Sequence, residues 1–378
     1  MEELTINFIS GPFLPIPPIK GGGVEVYLYN LSLVLSKKYK VRIYTRRYGG
    51  LKSHDKTGNL EIIRINGFEK RKNHLLELLK EFSFSFFVFF SIKKADINHF
   101  FHLKSFIFYL LRPNKGRSVV HLQIPFAGLT SKFLRFADII VPNSEYTASH
   151  FKKIKAIKDN EMVVIPNGVD IKKFSEAKAS EEIKERYRLT GYKIIGYVGR
   201  ISKEKGIEYL IDAFRILKEK RDDVRLLLIG PYRKNEYGDP IFYAHLNSII
   251  KIYNLEKYAS FTGLMEHEKL PSYYASCDIL CFPSDWEEPF GIVCIEALAC
   301  GKPVIVTDSG AFREIITNGL NGFIVPKKDP SAITEKVMLL LNDDALRYKI
   351  STAALERAKS YSFNVIAQRY EELYKRLI

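Results

Sequence analysis

The amino-acid sequence predicts an α/β protein made of two parallel-sheet domains, and three observations carry that prediction. Short apolar runs recur along the chain, and each is followed by Gly, Asn or Ser and then by a segment of helical period. This pattern stops in a polar, charge-rich stretch at residues 166–188 and then restarts. The length of 378 residues and the apolar fraction of 46% suit two globular domains with sizeable cores.

The first half of the chain supplies the strands and helices of one predicted domain, residues 1–170. Its strands are the apolar runs at residues 5–10, 41–45, 61–65, 96–100, 118–122, 138–141 and 162–165. Residues 24–36 and 144–153 have helical period. Since strands and helices alternate, the sheet is expected to be parallel.

The second half repeats the pattern in a predicted domain at residues 171–361. Its strands are residues 193–198, 225–229, 259–261, 279–282, 303–306 and 322–325. A last helix, residues 362–378, follows the completed second sheet. It could pack on either domain, and we predict that it packs back on the first.

The charge is unevenly distributed, with 26 Lys and Arg against 14 Asp and Glu in residues 1–170 and a net charge of +15 overall. Such an excess suggests an anionic partner, although a lysine-rich solvated surface explains it equally well. Nucleic acid is not the predicted partner, because the sequence has no continuous basic stripe or zinc-finger spacing. The four cysteines lie in apolar runs without metal-ligand spacing. No secretory signal or membrane span is visible, so we expect a cytoplasmic protein.

Two short segments have the residue types that bind phosphate. Gly21, Gly22 and Gly23 precede a helix just after the first strand, where free backbone N–H groups and the helix dipole favour an anion; a flexible loop is the alternative. In the second half, Arg200 and Lys205 lie between a strand end and a helix start. They could neutralise a diphosphate without a metal ion, or they could be solvated loop charges.

The segment richest in chemistry is the loop and helix at residues 282–303. Glu288 lies in the loop, and Glu296 interrupts an otherwise apolar helix that begins near Gly291 and ends at Gly301. A carboxylate at such a position needs a hydrogen-bond donor. A ribose diol and a buried Arg or Lys are equally compatible with the composition.

This segment resembles glycosyltransferase family 4. Glu288 and Glu296 have the spacing of the family's Glu-x7-Glu signature, with Pro-Ser before and Phe-Gly after the first glutamate. Further family segments occur in order over nearly the whole chain: residues 21–23, 143–145, 165–170, 199–200, 205–206, 261–263, 310 and 313–314. The resemblance implies a GT-B fold, two Rossmann-like domains facing across a central cleft. It also implies sugar transfer from a nucleotide-diphosphate sugar, with retention of configuration and with neither metal nor cofactor.

The same resemblance implies the site residues. Arg200 and Lys205 would hold the diphosphate, Glu296 the ribose, and Glu288 the transferred sugar. The donor-binding set is Gly21, Gly22, Gly23, Arg200, Lys205, Leu264, Glu288, Phe290, Gly291, Ile292 and Glu296, with Glu288, Arg200 and Lys205 catalytic. No metal site is expected, and Asp-x-Asp occurs nowhere in the sequence.

One position departs from the family pattern. Many members have a His after the Val-Val-x-x strand of the first domain, and here Gln123 takes that position while His121 lies two residues earlier on the same strand face. Either could contact the sugar or the acceptor. An ordinary partly buried histidine is the alternative for His121.

The expected partners are a UDP- or GDP-sugar and a glycan, lipid-linked or small-molecule acceptor. The aromatic segments at residues 82–90 and 100–111, flanked by lysines, suggest peripheral contact with the inner face of an anionic membrane; ordinary core helices are the alternative. A sugar phosphorylase or nucleotide-sugar epimerase would keep the fold with other chemistry. A non-enzymatic polyanion-binding protein is a remote third hypothesis.

Overall fold

A computed structural model of the chain describes residues 4–19, 22–66, 74–112, 116–126, 128–153, 162–233 and 238–378. The chain divides into two compact units. Unit 1 comprises Met1–Gly168 and Phe363–Ile378, and unit 2 comprises Val169–Ser362. The chain therefore leaves unit 1, builds unit 2 and returns to unit 1 with its last residues.

Unit 1 is built on a sheet that has seven strands in the described part of the chain. They are β1 (Thr5–Ile9), β2 (Lys40–Arg46), β3 (His54–Thr57), β4 (Leu60–Ile65), β5 (Ile97–Phe100), β6 (Arg117–Leu122) and β7 (Ile139–Pro142). Their order is β3-β4-β2-β1-β5-β6-β7, and only β3 runs antiparallel to its neighbour. The parallel strands therefore all end at the same edge, where ligands bind in folds of this kind.

Helices cover both faces of this sheet. They are α1 (Gly23–Leu35), α2 (His74–Ser91), α3 (Leu103–Tyr109) and α4 (Glu145–Lys152). A 3-10 segment, Leu129–Phe136, lies between β6 and β7. The core of one face contains buried residues of α1, and the core of the other contains buried residues of α2, α3, α4 and the 3-10 segment. The start of α4 follows from its sequence, because the Ser144 hydroxyl accepts a hydrogen bond from the amide of Thr147 at 3.0 Å.

Unit 2 is built on a six-stranded parallel sheet. Its strands are β8 (Lys193–Val198), β9 (Val224–Ile229), β10 (Ala259–Gly263), β11 (Ile279–Phe282), β12 (Val304–Thr307) and β13 (Phe323–Val325), in the order β10-β9-β8-β11-β12-β13. Its helices are α5 (Ile171–Ser175), α6 (Glu181–Arg186), α7 (Ile207–Lys218), α8 (Pro240–Ile252), α9 (Leu270–Ser276), α10 (Ile292–Ala299), α11 (Phe312–Ile315), α12 (Pro330–Asn342) and α13 (Asp344–Lys359). This strand order is that of a Rossmann domain.

The last helix, α14 (Phe363–Leu377), packs on α1 in unit 1. Tyr370 accepts a hydrogen bond from the Tyr27 hydroxyl at 3.1 Å, and the Tyr374 hydroxyl lies 2.7 Å from Nδ1 of His99. These buried tyrosines and the apolar side of α14 complete the core of that face.

One strand prediction was wrong, and one strand was not predicted. Residues 162–165 are not a regular strand, although they run beside β7: Met162 bridges Ile140, and the amides of Val163 and Ile165 donate to the carbonyls of Ile140 and Pro142 at 3.0 and 3.1 Å. The strand β3 was not predicted, because its residues His-Asp-Lys-Thr are polar and mostly exposed at the edge of the sheet.

Candidate functional site

The strand order of unit 2 reverses direction between β8 and β11. The next strand along the chain lies on one side of β8, whereas the strands after β11 lie on the other side. The crevice outside the carboxyl ends of two such strands is where open α/β sheets bind ligands. Arg200 follows the end of β8, and the loop containing Glu288 follows the end of β11.

The carboxylate of Glu288 is the centre of a hydrogen-bonded cluster at this point. Its Oε1 atom accepts from Nζ of Lys205 at 2.5 Å, from the Ser284 hydroxyl at 2.5 Å and from the indole Nε1 of Trp286 at 3.0 Å. Glu288 is 6% exposed, and the Lys205 ammonium also lies 5.0 Å from the centre of the Trp286 ring. Three donors on one oxygen fix the carboxylate, and the ion pair holds the Lys205 ammonium in place at the end of the strands.

Lys205 is held in place by a short turn. The 3-10 turn Lys203–Lys205 follows β8, and the carbonyl of Glu204 accepts from the amide of Asp285 at 3.0 Å. Gly206 then adopts φ +64°, and a Cβ there would overlap the carbonyl of Pro283. Only glycine fits this close approach, so Gly206 positions Lys205 beside the loop of Glu288.

The backbone of Glu288 is fixed by the segment after β12. Its amide donates to the Ser309 hydroxyl at 3.1 Å, and that hydroxyl donates to the carbonyl of Trp286. Gly310, at φ +45°, packs directly against the backbone of Glu288, where a Cβ would overlap it. Residues from the ends of β8, β11 and β12 therefore form one rigid unit.

Arg200 differs from Lys205 in being half exposed. Its guanidinium donates to Glu204 at 3.3 Å, and its carbonyl accepts from the Tyr197 hydroxyl at 2.8 Å. Burial, with the nearby Glu288 charge, raises the pKa of Tyr197 well above its ordinary value, so its phenol stays a donor. The backbone of Arg200 is thus fixed while its cation remains available to a ligand.

Glu296 lies inside α10 and receives its hydrogen bonds from two other elements. Its Oε2 accepts from the Tyr274 hydroxyl at 2.7 Å, and its Oε1 lies 3.4 Å from Nε2 of His267. The Lys173 ammonium lies 3.1 Å from Nδ1 of His267; an ammonium cannot accept, so Nδ1 accepts and Nε2 carries the proton that faces Glu296. The donors in unit 2 are therefore a phenol and an imidazole, and not the buried Arg or Lys that the sequence left open as the alternative to a ribose diol.

The remaining donor residues predicted in unit 2 surround the start of α10 and the end of β10. Phe290 is buried and packs edge-on against Tyr361, and Gly291 and Ile292 begin α10, whose first amides have no partner within the helix. Leu264 directly follows β10 and is exposed.

The predicted glycine run of unit 1 falls partly on described residues. Gly21 lies outside them, whereas Gly22 caps α1 and Gly23 is its first residue. In the first turn, burial raises the pKa of Glu25 to about 7, although the amides of Glu25 and Leu14 oppose the shift. A carboxyl that is partly protonated near pH 7 repels an anion at this helix start less than an ionised one does.

His121 and Gln123 have different environments. His121 is buried in the core, where Nδ1 lies 2.8 Å from the Tyr370 hydroxyl and Nε2 lies 2.6 Å from Gln123, and burial lowers its pKa to about 3. Gln123 is only partly buried and also bonds Asn143 and Asn167. Gln123 follows the end of β6, so of the two it is the residue at the edge of the sheet where ligands bind in such folds.

No group of three or more His, Cys, Asp or Glu side chains in the described ranges could hold a metal ion. Of the helices that the structure describes, none is long and apolar enough to cross a bilayer.

Sequence reasoning missed the side chains that support the two glutamates. Ser284 and Trp286 could have been proposed, since they flank Glu288 within one loop. Ser309, Tyr274, His267 and Lys173 come from other elements and gave no signal in the sequence. Their roles follow only from the fold.

Comparisons with known proteins identify the family and the fold. The family model described as "Glycosyl transferases group 1" matches residues 179–357, and that described as "Glycosyltransferase Family 4" matches residues 21–173. The capsular polysaccharide biosynthesis glycosyltransferase CapM of Staphylococcus aureus is 34% identical over 57% of this chain and 56% of its own length. The chain therefore spans little more than half of that relative.

Two solved structures share the fold over nearly the whole chain. Sucrose-phosphate synthase from Thermosynechococcus elongatus has a TM-score of 0.81 at 22% identity and covers 99% of both chains. Alr3699/HepE of Anabaena, in complex with UDP-glucose, has a TM-score of 0.80 at 20% identity and covers 99% of this chain and 100% of its own.

Proposed function

We propose a donor, an acceptor class and a stereochemical course for this chain, which belongs to the group 1, family 4 glycosyltransferases and is a hexosyltransferase-type enzyme with a GT-B fold. The donor is a nucleotide-diphosphate sugar with UDP or GDP. The acceptor is a hydroxyl of a glycan, a lipid-linked glycan or a small molecule. Transfer retains the anomeric configuration and needs no metal ion.

The observation that carries the proposal is the Lys205–Glu288 pair beside Arg200 at the switch point of the sheet. As the bond from sugar to phosphate breaks, negative charge develops on the diphosphate. An ammonium, a guanidinium and the first amides of α10 are fixed donors that can stabilise this charge without reorganising. They would supply what a divalent cation supplies in other transferases.

The carboxylates have separate roles in this proposal. Glu288, held by Lys205, Ser284 and Trp286, contacts the hydroxyls of the transferred sugar and orients its reacting carbon. Glu296 accepts from the ribose hydroxyls, and Leu264 meets the base. In unit 1, the amides at Gly22 and Gly23 stabilise the departing phosphate.

Two of the similar proteins support UDP as the nucleotide and a polysaccharide as one acceptor class. HepE is in complex with UDP-glucose, and CapM is named for capsular polysaccharide biosynthesis. Both proteins have the same fold or family as this chain, and we extend those ligand classes to it as a proposal.

A titration with nucleotides tests the donor site. Trp286 is the only tryptophan of the chain and contacts both Lys205 and Glu288, so its emission should report binding of UDP or GDP. We expect Arg200→Ala to weaken UDP binding by about 10- to 100-fold, the value of one or two charge-assisted hydrogen bonds. Unchanged affinity in Arg200→Ala would overturn the site.

Product analysis tests the reaction. Nuclear magnetic resonance of the product should show the anomeric configuration of the donor, and activity should survive excess EDTA. An inverted product or loss of activity in EDTA contradicts the proposed course. Epimerisation of the donor without acceptor, or turnover that requires inorganic phosphate, would point to an epimerase or a phosphorylase.

We also propose that unit 1 contacts an anionic membrane through the outer face of α2. Phe82, Phe86 and Phe90 follow helical spacing and are 48%, 48% and 67% exposed, while Phe84 on the other side is buried. The exposed pair Lys93 and Lys94 follows the helix after one buried residue, Ile92. Apolar rings beside exposed cations suit the interface of a bilayer with anionic lipids, where a lipid-linked acceptor would lie.

Vesicle sedimentation tests this contact. We expect the full chain to bind phosphatidylglycerol vesicles more tightly than phosphatidylcholine vesicles, and Phe86→Ser with Phe90→Ser to weaken binding at least tenfold. Tyr348→Ser, which removes an exposed ring of unit 2, should change nothing. Equal loss in the control, or a dimer in solution that the double variant abolishes, would contradict the membrane contact.

A further inference from the structure

Unit 1 has a polar cavity at the carboxyl ends of β2 and β4, and the glycine run is not part of its lining. Its volume is about 310 Å³. It is lined by the last residue of β2, the loop that follows and the residue after β4: Arg46, Arg47, Tyr48, Gly49, Gly50, Leu51 and Asn66. We call it the β2–β4 cavity. It lies at the edge of the sheet where ligands of such folds bind.

Arg46 is the unusual member of this cavity. It is 4% exposed, and its Nε atom is buried with no hydrogen-bond partner. Its guanidinium carbon lies 4.9 Å from the centre of the Tyr48 ring, but no carboxylate pairs with it among the residues that the structure describes. A buried guanidinium without an anion is costly, because burial removes water and the Tyr48 ring replaces only part of the lost interactions.

The backbone holds Arg46 in this position. Arg46 ends β2 and points to the same sheet face as Tyr44, two residues earlier, which is buried in the core beneath α2. The next amide, that of Arg47, donates to the carbonyl of Ile65 at 2.8 Å and so ties β2 to the end of β4. The cation is therefore preorganised at the rim of the sheet.

The other side of the cavity leaves room for a ligand. Arg47 is exposed beside Arg46, and the positions that a Cβ would take at Gly49 and Gly50 have no heavy atom within 4 Å. Both arginines line the cavity, so an entering group meets the buried guanidinium of Arg46, a second basic residue and open backbone. A guanidinium fork fits the planar or tetrahedral oxygens of a carboxylate or phosphate and forms paired hydrogen bonds with them.

We propose that the β2–β4 cavity binds an anionic group of the acceptor, a phosphate or a carboxylate, through Arg46 and Arg47. This assignment rests on the proposed function, since it presumes that unit 1 receives the acceptor. It narrows the acceptor to a sugar phosphate, a phosphate-linked lipid sugar or a uronic acid. Arg46 gains in the complex the anion that it lacks, so binding and charge satisfaction coincide.

Calorimetric titration of the full chain tests the assignment, with UDP present in excess so that the phosphate site of unit 2 is filled. The probes are glucose 6-phosphate, glucuronate, inorganic phosphate and neutral glucose. We expect at least one anionic probe to bind and glucose to bind at least tenfold more weakly. Arg46→Gln should lower the anion affinity at least tenfold, as loss of charge-assisted hydrogen bonds requires.

Matched variants separate the outcomes. Arg135→Gln removes an exposed arginine outside the cavity and should leave anion affinity unchanged, while Arg46→Lys, which keeps the charge, should bind between wild type and Arg46→Gln. No anion binding to the wild type, equal binding of glucose, or unchanged affinity in Arg46→Gln overturns the assignment. A melting curve checks that each variant is folded. If Arg46→Gln is unfolded, the anion affinity of Arg46→Lys is compared with that of the wild type instead, and an unchanged affinity overturns the assignment.

Two separate measurements distinguish a failure of this assignment from a failure of the proposed function. UDP binding is followed separately by Trp286 emission and should be the same in Arg46→Gln as in the wild type. Loss of anion binding with intact UDP binding fits the assignment. Absence of UDP binding in the wild type instead contradicts the proposed donor, whatever the anions do.

Discussion

Replacing Lys205 by Met tests whether the ammonium and the Glu288 carboxylate act as one unit. The side chains are 17% and 8% exposed, and the two atoms are 2.5 Å apart. Removing one partner of a fully buried pair costs about 3–5 kcal/mol, because the other charge stays buried alone. Here Ser284 and Trp286 still donate to Glu288 and Lys205 reaches solvent, so we expect a loss of about 2–3 kcal/mol.

A double-mutant cycle isolates the pair. Glu288→Gln alone should cost about 1 kcal/mol, and the double variant should cost far less than the sum of the two, with a coupling energy of about 1.5–2.5 kcal/mol. Urea unfolding followed by the emission of Trp286 gives the free energy of unfolding, since this sole tryptophan lies in unit 2.

Additive costs within about 0.5 kcal/mol would refute the coupling. The control is the exposed pair Arg215 and Glu219, 2.6 Å apart, for which we expect a coupling energy of at most about 0.5 kcal/mol.

The Lys205 and Glu288 variants also separate two roles: Lys205→Met should weaken UDP binding, whereas Glu288→Gln should bind UDP and lose sugar transfer. Full activity in Glu288→Gln would contradict its contact with the sugar.

Three further predictions concern other parts of the site and the core. Burial holds the pKa of His121 at about 3, so this histidine is protonated in the unfolded chain before it is protonated in the folded one, and the free energy of unfolding of unit 1 should fall by about 2–3 kcal/mol between pH 7 and 4.5. Urea unfolding followed by far-ultraviolet circular dichroism should show a flatter pH dependence in His121→Gln, and the same pH dependence as in the wild type would contradict this. Gly206→Ala should cost about 2–4 kcal/mol in the Trp286 transition, because the residue has φ +64° and its Cβ would overlap Pro283; a loss under 1 kcal/mol would show that the turn can move. Glu296→Gln should weaken UDP at least fivefold and inorganic diphosphate not at all in the same fluorescence titration, since only UDP has a ribose; parallel losses would exclude a ribose contact.

The strands of both sheets were predictable because their sequence pattern is local. The run at residues 193–198 is apolar on both faces, as buried parallel strands are, and its observed bounds are Lys193–Val198. The same reasoning predicted a full strand at residues 162–165, where the structure has one bridge to β7 and two backbone hydrogen bonds to it but no regular ladder. A regular ladder depends on the geometry of both partners, and the sequence of one segment does not contain that information.

The site was predictable only where one loop carries it. Glu288 and the residues beside it are adjacent in sequence, so a motif exposes them, and Lys205 follows a strand end. The partners of His121 and Glu296 come from far along the chain: Tyr370 lies 249 residues after His121, and Tyr274 lies 22 residues before Glu296. The histidine thus became a core residue through a helix that no local pattern connects to it.

The basic excess of residues 1–170 divides into charges that differ in how strongly salt affects them. Exposed lysines such as Lys93 and Lys94 interact through water, so salt at 0.15 M screens them over about 8 Å and should release an anionic vesicle. Arg46 is almost fully buried, and an anion in contact with it would be screened much less. Raising salt from 0.05 to 0.5 M should therefore abolish vesicle binding while glucose 6-phosphate or glucuronate still binds the β2–β4 cavity. If salt weakens vesicle binding and anion binding equally, the cavity contributes only diffuse surface charge, and the excess of basic residues is a solvated surface.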